Sequence, residues 1–170
     1  MLGHPGGEYH TRHLIDLSGL TSGTWLDMGA GDGAAVRLLM DLGFEALGID
    51  LNPRGSNVIK GDYLYSPFPD GSFDAILSQC AFYVSGNIPL ALAEASRMLR
   101  PGGKLVFSDV TENVETLIKT CETAGFHLCH VEDLTPSWRE YYLEALWTQD
   151  NVCLPAGKKF RYLIIVCERM

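Results

Sequence analysis

The nine residues Trp25-Leu26-Asp27-Met28-Gly29-Ala30-Gly31-Asp32-Gly33 decide how this chain is read. They predict the end of a strand, a turn with glycine at every second position, and a helix starting at Ala34. Glycine permits positive φ and lets another molecule come close to bare backbone. A glycine turn between a parallel strand and a helix is where doubly wound folds seat a nucleotide-like ligand. The pattern is D-x-G-x-G-x-G, whereas the dinucleotide fingerprint G-x-G-x-x-G carries its third glycine one place later. Asp27 at the strand end argues against a phosphate ligand and for a cationic or hydroxyl-bearing one. The bland alternative is a tight strand-to-helix turn with no ligand.

Outward from this turn, apolar runs alternate with helical patterns. Thr24–Met28 is a first strand. The helix Ala34–Leu42 stops at Gly43 in the C′ position. Ala46–Asp50 is a second strand and Val58–Lys60 a short third. Residues 51–57 between them are fewer than a crossover needs, so the helix expected there is a single turn or absent. The turn Pro69-Asp70-Gly71-Ser72 leads into a fourth strand, Phe73–Ser78. Asn87 caps a helix with Pro89 in its first turn, and Arg100-Pro101-Gly102-Gly103 ends that helix. Then come a strand Lys104–Asp109, a helix Glu112–Ala124, a strand His127–Val131, an aromatic-rich helix Pro136–Trp147 and an apolar strand Tyr162–Cys167. His10–Leu17 predicts a helix lying across the sheet edge. Strands alternating with helices predict an α/β fold with a mostly parallel sheet.

The chain has 170 residues, enough for one domain, and neither repeat nor linker divides 1–170. A formal net charge of −8 speaks against a nucleic-acid partner. The five cysteines show no C-x-x-C spacing. An odd count without a secretory signal predicts reduced thiols and a cytoplasmic location. No apolar run approaches the ~20 residues of a membrane span.

Four segments make the chain resemble a class I S-adenosylmethionine-dependent methyltransferase, in the group that includes the ubiquinone and menaquinone biosynthesis enzymes. Asp27-x-Gly29-x-Gly31-x-Gly33 is similar to that family's first motif. Gly48-Ile49-Asp50 resembles its second strand, which ends in an acidic residue. Gly61-Asp62, followed by Pro67-Phe68-Pro69-Asp70-Gly71-Ser72-Phe73-Asp74, resembles its third segment. Leu99-Arg100-Pro101-Gly102-Gly103-Lys104-Leu105 resembles the turn before strand five. Together they cover residues 24–109 in family order, the expected cofactor-binding core. The resemblance implies a Rossmann-like seven-stranded sheet, mostly parallel, with the last strand antiparallel beside the fifth and helices on both faces. It also implies S-adenosyl-L-methionine as cofactor. The chain departs from the family in its short second linker and in the absence of an insertion after strand five. Substrate cover is then expected from residues 1–20, as a lid, or from a helix over 133–150.

The expected cofactor residues lie on this frame. Gly29, Ala30, Gly31 and Gly33 form the turn facing the methionine part, and the resemblance implies a cationic amino group near Asp27. Asp50 at a strand end suits a ribose diol, or caps the turn at Asn52. Leu51 would pack on adenine. The resemblance implies that Asp62, after Gly61, bonds the adenine amino group, with the Tyr63 amide beside it; the alternative is a turn aspartate. Ser78 and Gln79 leave strand four where ligands bind in open α/β sheets. Cys80 is either a thiol lining the pocket or a small buried hydrophobe. The glycine-rich start with His4, His10 and His13 is either a lid or a frayed terminus. Trp138, Tyr141, Tyr142 and Trp147 are either core packing or an aromatic wall for an apolar or cationic substrate.

The function expected is methyl transfer to a small-molecule acceptor by in-line displacement. If a general base is needed, His4, His10, His13 and Tyr83 are the candidates, with Cys80 as a further weak catalytic candidate. No metal is implied. The other class of function is a cofactor-binding protein without transfer, a regulatory or partner subunit; a nicotinamide oxidoreductase is a third reading. A monomer, a homodimer and a partner protein that completes the substrate site all fit the sequence.

Overall fold

The computed structural model describes residues 6–140 and 159–170. Its elements, in chain order, begin with α1 (Gly7–Leu17), β1 (Thr24–Met28), α2 (Ala34–Asp41), β2 (Glu45–Asp50) and β3 (Val58–Lys60). A 3-10 turn (Tyr63–Tyr65), β4 (Phe73–Gln79), α3 (Ile88–Met98) and β5 (Leu99–Thr111) follow. The chain continues through α4 (Val114–Thr123), β6 (Phe126–Asp133), helical residues 135–140 and β7 (Arg161–Arg169).

One sheet contains the seven strands in the order β3-β2-β1-β4-β5-β7-β6. β1 pairs in parallel with β2 and β4, β2 with β3, and β4 with β5. β7 runs antiparallel to both neighbours, β5 and β6. The seven-stranded architecture with an inserted antiparallel last strand is the one expected. Chain direction reverses its walk between β1 and β4, and the crevice at such a switch point is where open α/β sheets bind ligands.

Both faces of the sheet are covered, so the strands read as continuous apolar runs rather than alternating ones. Successive side chains still go to opposite faces. Trp25, Ala75, Leu77, Val106, Ile164 and Val166 pack under α1 and α2. Leu26, Ile76, Leu105, Phe107, Leu163 and Ile165 meet α3 and α4 on the other side.

Three local expectations shift, while the short linker between β2 and β3 carries no helix, one of the two outcomes expected. α1 does not lie at the sheet edge. Leu14 and Ile15 carry it onto the middle of one face, against Trp25, Leu77, Val106 and Ile164. It reaches the edge strand through His13 Nε2, 2.7 Å from Glu132 Oε2 on β6. Arg100–Gly103 is not a turn ahead of β5 but a bulge within it, because Leu99 already pairs with Phe73 before Lys104 pairs with Ala75. α4 starts at Val114, since the Asn113 side chain accepts from the Thr116 amide and so caps it. Of the predicted aromatic helix, residues 141–147 lie outside the described residues.

Leu14 tests this placement of α1. It is fully buried, so Leu14→Ala should lower unfolding free energy by ~2–5 kcal/mol in urea titrations. A helix resting loosely at an edge would lose under ~0.5 kcal/mol, the range of ordinary surface substitutions.

Candidate cofactor site

The site starts where β1 runs out. The Gly29 and Ala30 amides both donate to the Ile49 carbonyl, at 2.9 and 3.2 Å, and tie the turn to β2. Gly29 has φ +87°, and a Cβ there would lie 2.5 Å from the Ala81 Cβ. No side chain fits that gap. Gly31, at φ +53°, has only the end of Arg54 within reach of an added Cβ, at 3.5 Å. The turn is therefore pressed onto protein at Gly29 and open at Gly31. Gly33, also left-handed at φ 73°, is the N-cap of α2. Ala30 is buried, and Gly48 makes room for it: a Cβ on Gly48 would sit 2.5 Å from that of Ala30.

Three carboxylates surround the turn in different states. Asp27 is buried at the end of β1, and no donor among the described residues hydrogen-bonds its carboxylate. Burial first, then the charges of Asp50 and Asp32, push its pKa up to about 7. Asp50 ends β2 and accepts from the Gly31 amide at 2.8 Å and the Asn52 amide at 2.7 Å. It thus orders the glycine turn and caps the turn at Asn52. A carboxylate has about four lone-pair sites, so it retains capacity for two hydroxyl donors. Asp62 accepts from the Leu64 amide at 2.9 Å and caps the 3-10 turn that carries Tyr63.

That turn is held from behind by Arg97 of α3. Its guanidinium donates to the Phe68 carbonyl and to Asp70, each at 2.8 Å, and to Glu94 at 2.9 Å. Glu94 in turn accepts from the Ser66 amide.

A cleft of about 440 Å³ opens between these parts. Gly29, Asp50, Leu51, Asp62, Tyr63, Gln79 and Cys80 line it, with Leu64, Ala81, Val84 and Ser85. The first seven were singled out in the sequence, and Ala81 lies in the stretch Cys80-Ala81-Phe82-Tyr83 expected to contact substrate; Leu64, Val84 and Ser85 were not singled out. Their only signal was position, directly after Asp62 and Cys80. Asp27, Ala30, Gly31, Gly33 and Gly61 lie in or behind the wall rather than among its lining residues. Ser78 points into the protein and donates to the Met28 carbonyl at 2.9 Å.

Segment 80–86 forms the far wall. Cys80 sits in the left-handed region at φ 55°, uncommon for a residue with a side chain. Its Sγ lies 3.6 Å from the Tyr162 hydroxyl, which donates to Ser108 Oγ at 2.9 Å. Burial pushes the thiol up to about 12, so it stays protonated. Tyr83 packs edge-on against Phe160, with ring centroids 5.5 Å apart. Trp138 is buried and stacks on Tyr162, as core packing.

The histidines divide. His4 lies outside the described residues. His13 is engaged with Glu132, and neither His10 nor His13 lines the cleft. The part of α1 that does approach is Thr11, whose hydroxyl meets Gln79 Oε1 at 3.1 Å. Nothing in the sequence pointed to that long-range contact. Among the described residues no helix is long and apolar enough to cross a membrane.

Sheet order, switch-point cleft, glycine turn and carboxylates together define a Rossmann-like α/β protein with a nucleoside-type site. The methyltransferase domain family model matches residues 26–107. Over these residues the chain is similar to class I S-adenosylmethionine-dependent methyltransferases. The demethylmenaquinone methyltransferase of Tropheryma whipplei is 38% identical over 111 residues, 56% of this chain and 45% of that protein. The chain thus spans less than half the length of that relative. Phosphoethanolamine N-methyltransferase 2 of Haemonchus contortus, solved with S-adenosylhomocysteine, superposes with a TM-score of 0.80 at 18% identity, over 98% of this chain and 53% of that one. The [4+2]-cyclase SpnF superposes at 0.78 and 20% identity, over 94% and 79%. These two likenesses establish the fold.

Asp27 makes a pH-dependent prediction. It ionises near 3.8 when unfolded and near 7 when folded, so the folded chain binds more protons between these values. Its contribution to stability is therefore highest below about pH 4 and falls as the pH rises to about 7. Asp27→Asn should flatten this decline in urea unfolding of the ligand-free protein at pH 5 and pH 8. An unchanged slope would contradict the buried, unpaired carboxylate.

Proposed function

We propose that the protein transfers a methyl group from S-adenosyl-L-methionine to a small-molecule acceptor. The observation that carries this reading is the cleft itself, which combines bare backbone at Gly29 with acceptor-only side chains at Asp50 and Asp62. The residues present fit the cofactor. Asp27 supplies a buried carboxylate with no protein donor among the described residues, suited to an ammonium group. Asp50 has capacity left for a ribose diol, with Leu51 exposed beside it to cover an adenine ring. Asp62 and the Tyr63 amide stand at the edge of that ring site.

When bound, the cofactor supplies a methyl group on a positively charged sulfur, already a good leaving group. The chain's task is then alignment. Asp50, Asp62 and the glycine turn fix one reactant, while Gln79, Cys80 and Ala81 border the space for the other. Such alignment is worth up to ~7–11 kcal/mol of barrier. Ala81 and Val84 offer apolar surface that excludes water from this side. The protonated Cys80 thiol is no general base, and neither His10 nor His13 is among the residues that line the cleft. An acceptor whose nucleophilic atom is already unprotonated near neutral pH suits this wall best.

A second reading keeps the cofactor and omits the transfer. It is favoured by the lining itself, whose described carboxylates, Asp50 and Asp62, are both given to the cofactor, and by the cyclase SpnF, which shares the fold. The four described cysteines are free thiols, in keeping with action in the cytoplasm. We propose no further domain function for 1–170, and monomer or homodimer is equally compatible with the site.

Titration with S-adenosylhomocysteine and with NAD tests the cofactor. Micromolar or tighter binding of the first and none of the second is expected. Asp50→Ala removes a charged acceptor and should weaken the first by ~1.5–3 kcal/mol, about tenfold or more in Kd. Equal affinity in wild type and variant would overturn the ribose assignment. Turnover of labelled methyl groups across amine, thiol and phenol acceptors separates transfer from binding alone.

A further inference from the structure

Asp109 is a buried carboxylate that the proposed reaction does not use. It stands near the end of β5, paired in register with Leu163 of β7. It is 4% exposed. One oxygen accepts from the Tyr83 amide at 2.8 Å, and the other from the Val110 amide at 2.8 Å. The Phe82 amide dipole also favours its charged form. The neighbouring Ser108 carbonyl accepts from the Cys80 amide at 2.8 Å. Two amides of segment 80–86, those of Cys80 and Tyr83, are thus tied to two adjacent residues of β5.

That segment needs an anchor. It starts with Cys80 in a left-handed conformation, which a residue with a Cβ does not choose unaided. Ala81 must press against Gly29 of the glycine turn. Cys80, Ala81, Val84 and Ser85 together supply one wall of the cleft. The other ties run from side chains: the Tyr63 hydroxyl donates to the Ala81 carbonyl at 2.7 Å, and the Cys80 thiol lies 3.6 Å from the Tyr162 hydroxyl.

We propose that Asp109 is a positioning residue, clamping segment 80–86 onto β5 so that Ala81 seats against Gly29 and the cleft keeps its shape. The role rests on the reading of this cleft as the cofactor site. An ionised carboxylate is the only side chain of this size that accepts from two separate amides without carrying a donor. Among the described residues, the titratable groups that face it are Tyr63 on the 3-10 turn, Cys80 after β4 and Tyr162 on β7. None is a cation. Burial therefore raises Asp109 to about 6, and the amides are what hold it from rising further. Protonation replaces an acceptor by a donor and loosens the clamp. The segment is consequently tight above pH 6 and looser below it.

The test is amide hydrogen exchange of the ligand-free protein, corrected for intrinsic rates, alongside S-adenosylhomocysteine binding. In Asp109→Asn at pH 7.5 the side-chain NH₂ meets a backbone N–H, and protection at residues 82 and 83 should fall about tenfold or more while the β1 and β4 amides keep theirs. Affinity for S-adenosylhomocysteine should fall with it. In wild type, protection at 82 and 83 should drop as the pH passes from 7 to 5, a readout that needs no variant should Asp109→Asn fail to fold. Unchanged protection at 82 and 83 in the variant, or flat wild-type protection across that range, overturns the clamp. Loss of protection with unaltered S-adenosylhomocysteine affinity overturns its control of the cleft. Wild type that does not bind S-adenosylhomocysteine sinks the cofactor reading instead, and leaves the clamp to be judged on exchange.

Discussion

The structure depends on how closely the turn after β1 is pressed between its neighbours. On one side its amides reach the Ile49 carbonyl of β2; on the other Gly29 lies against Ala81, with no room for a side chain. This double contact sets the distance between the ends of β2 and β4. Every group that borders the cleft is placed relative to it. Asp50 is held in register with the turn through the Gly31 amide, and Cys80 leaves β4 directly opposite. The parallel part of the sheet makes this possible, because β3, β2, β1, β4 and β5 all end at the same side and the switch between β1 and β4 leaves their carboxyl ends uncovered.

The electrostatics follow from the same packing. Asp27 and Asp109 are both buried at this end of the sheet, and neither has a cation against it among the described residues. Burial without a partner opposes the charged form, and both are raised toward neutrality. Their surroundings nevertheless differ. Asp109 is saturated by main-chain amides, which suits a structural tie. Asp27 has no such donors, which leaves its charge available to a ligand. One carboxylate is committed to the protein and the other is open, although both occupy strand ends.

Much of this was legible in the chain. The glycine alternation after an apolar run located the strand, turn and helix to within a residue, because left-handed φ values leave few substitutes for glycine. Asp50, Leu51, Asp62, Tyr63 and Gln79 reach the cleft because strand ends and switch points carry ligands in this fold. What stayed hidden was set by contacts between distant segments. The Leu14–Ile15 stripe announces a buried helix face but not which part of the sheet it covers. Pro101-Gly102-Gly103 has the composition of a turn, yet the earlier pairing of Leu99 makes it a bulge. Ser78 shares a strand with Gln79, and alternation sends it inward to the Met28 carbonyl. Asp109 has the appearance of any strand-end aspartate until the amides of 82 and 83 are brought to it.

The most direct measurement of the account is calorimetric titration of S-adenosylhomocysteine at pH 6, repeated in two buffers of different ionisation enthalpy. Pairing of a cationic amino group with Asp27 requires that residue to lose the proton which burial lets it keep up to about pH 7. Binding accompanied by net proton release, absent in Asp27→Asn, is the predicted result. Absence of binding, or binding with no proton released from the wild type, would contradict the central claim that this cleft receives an adenosyl donor over a buried carboxylate.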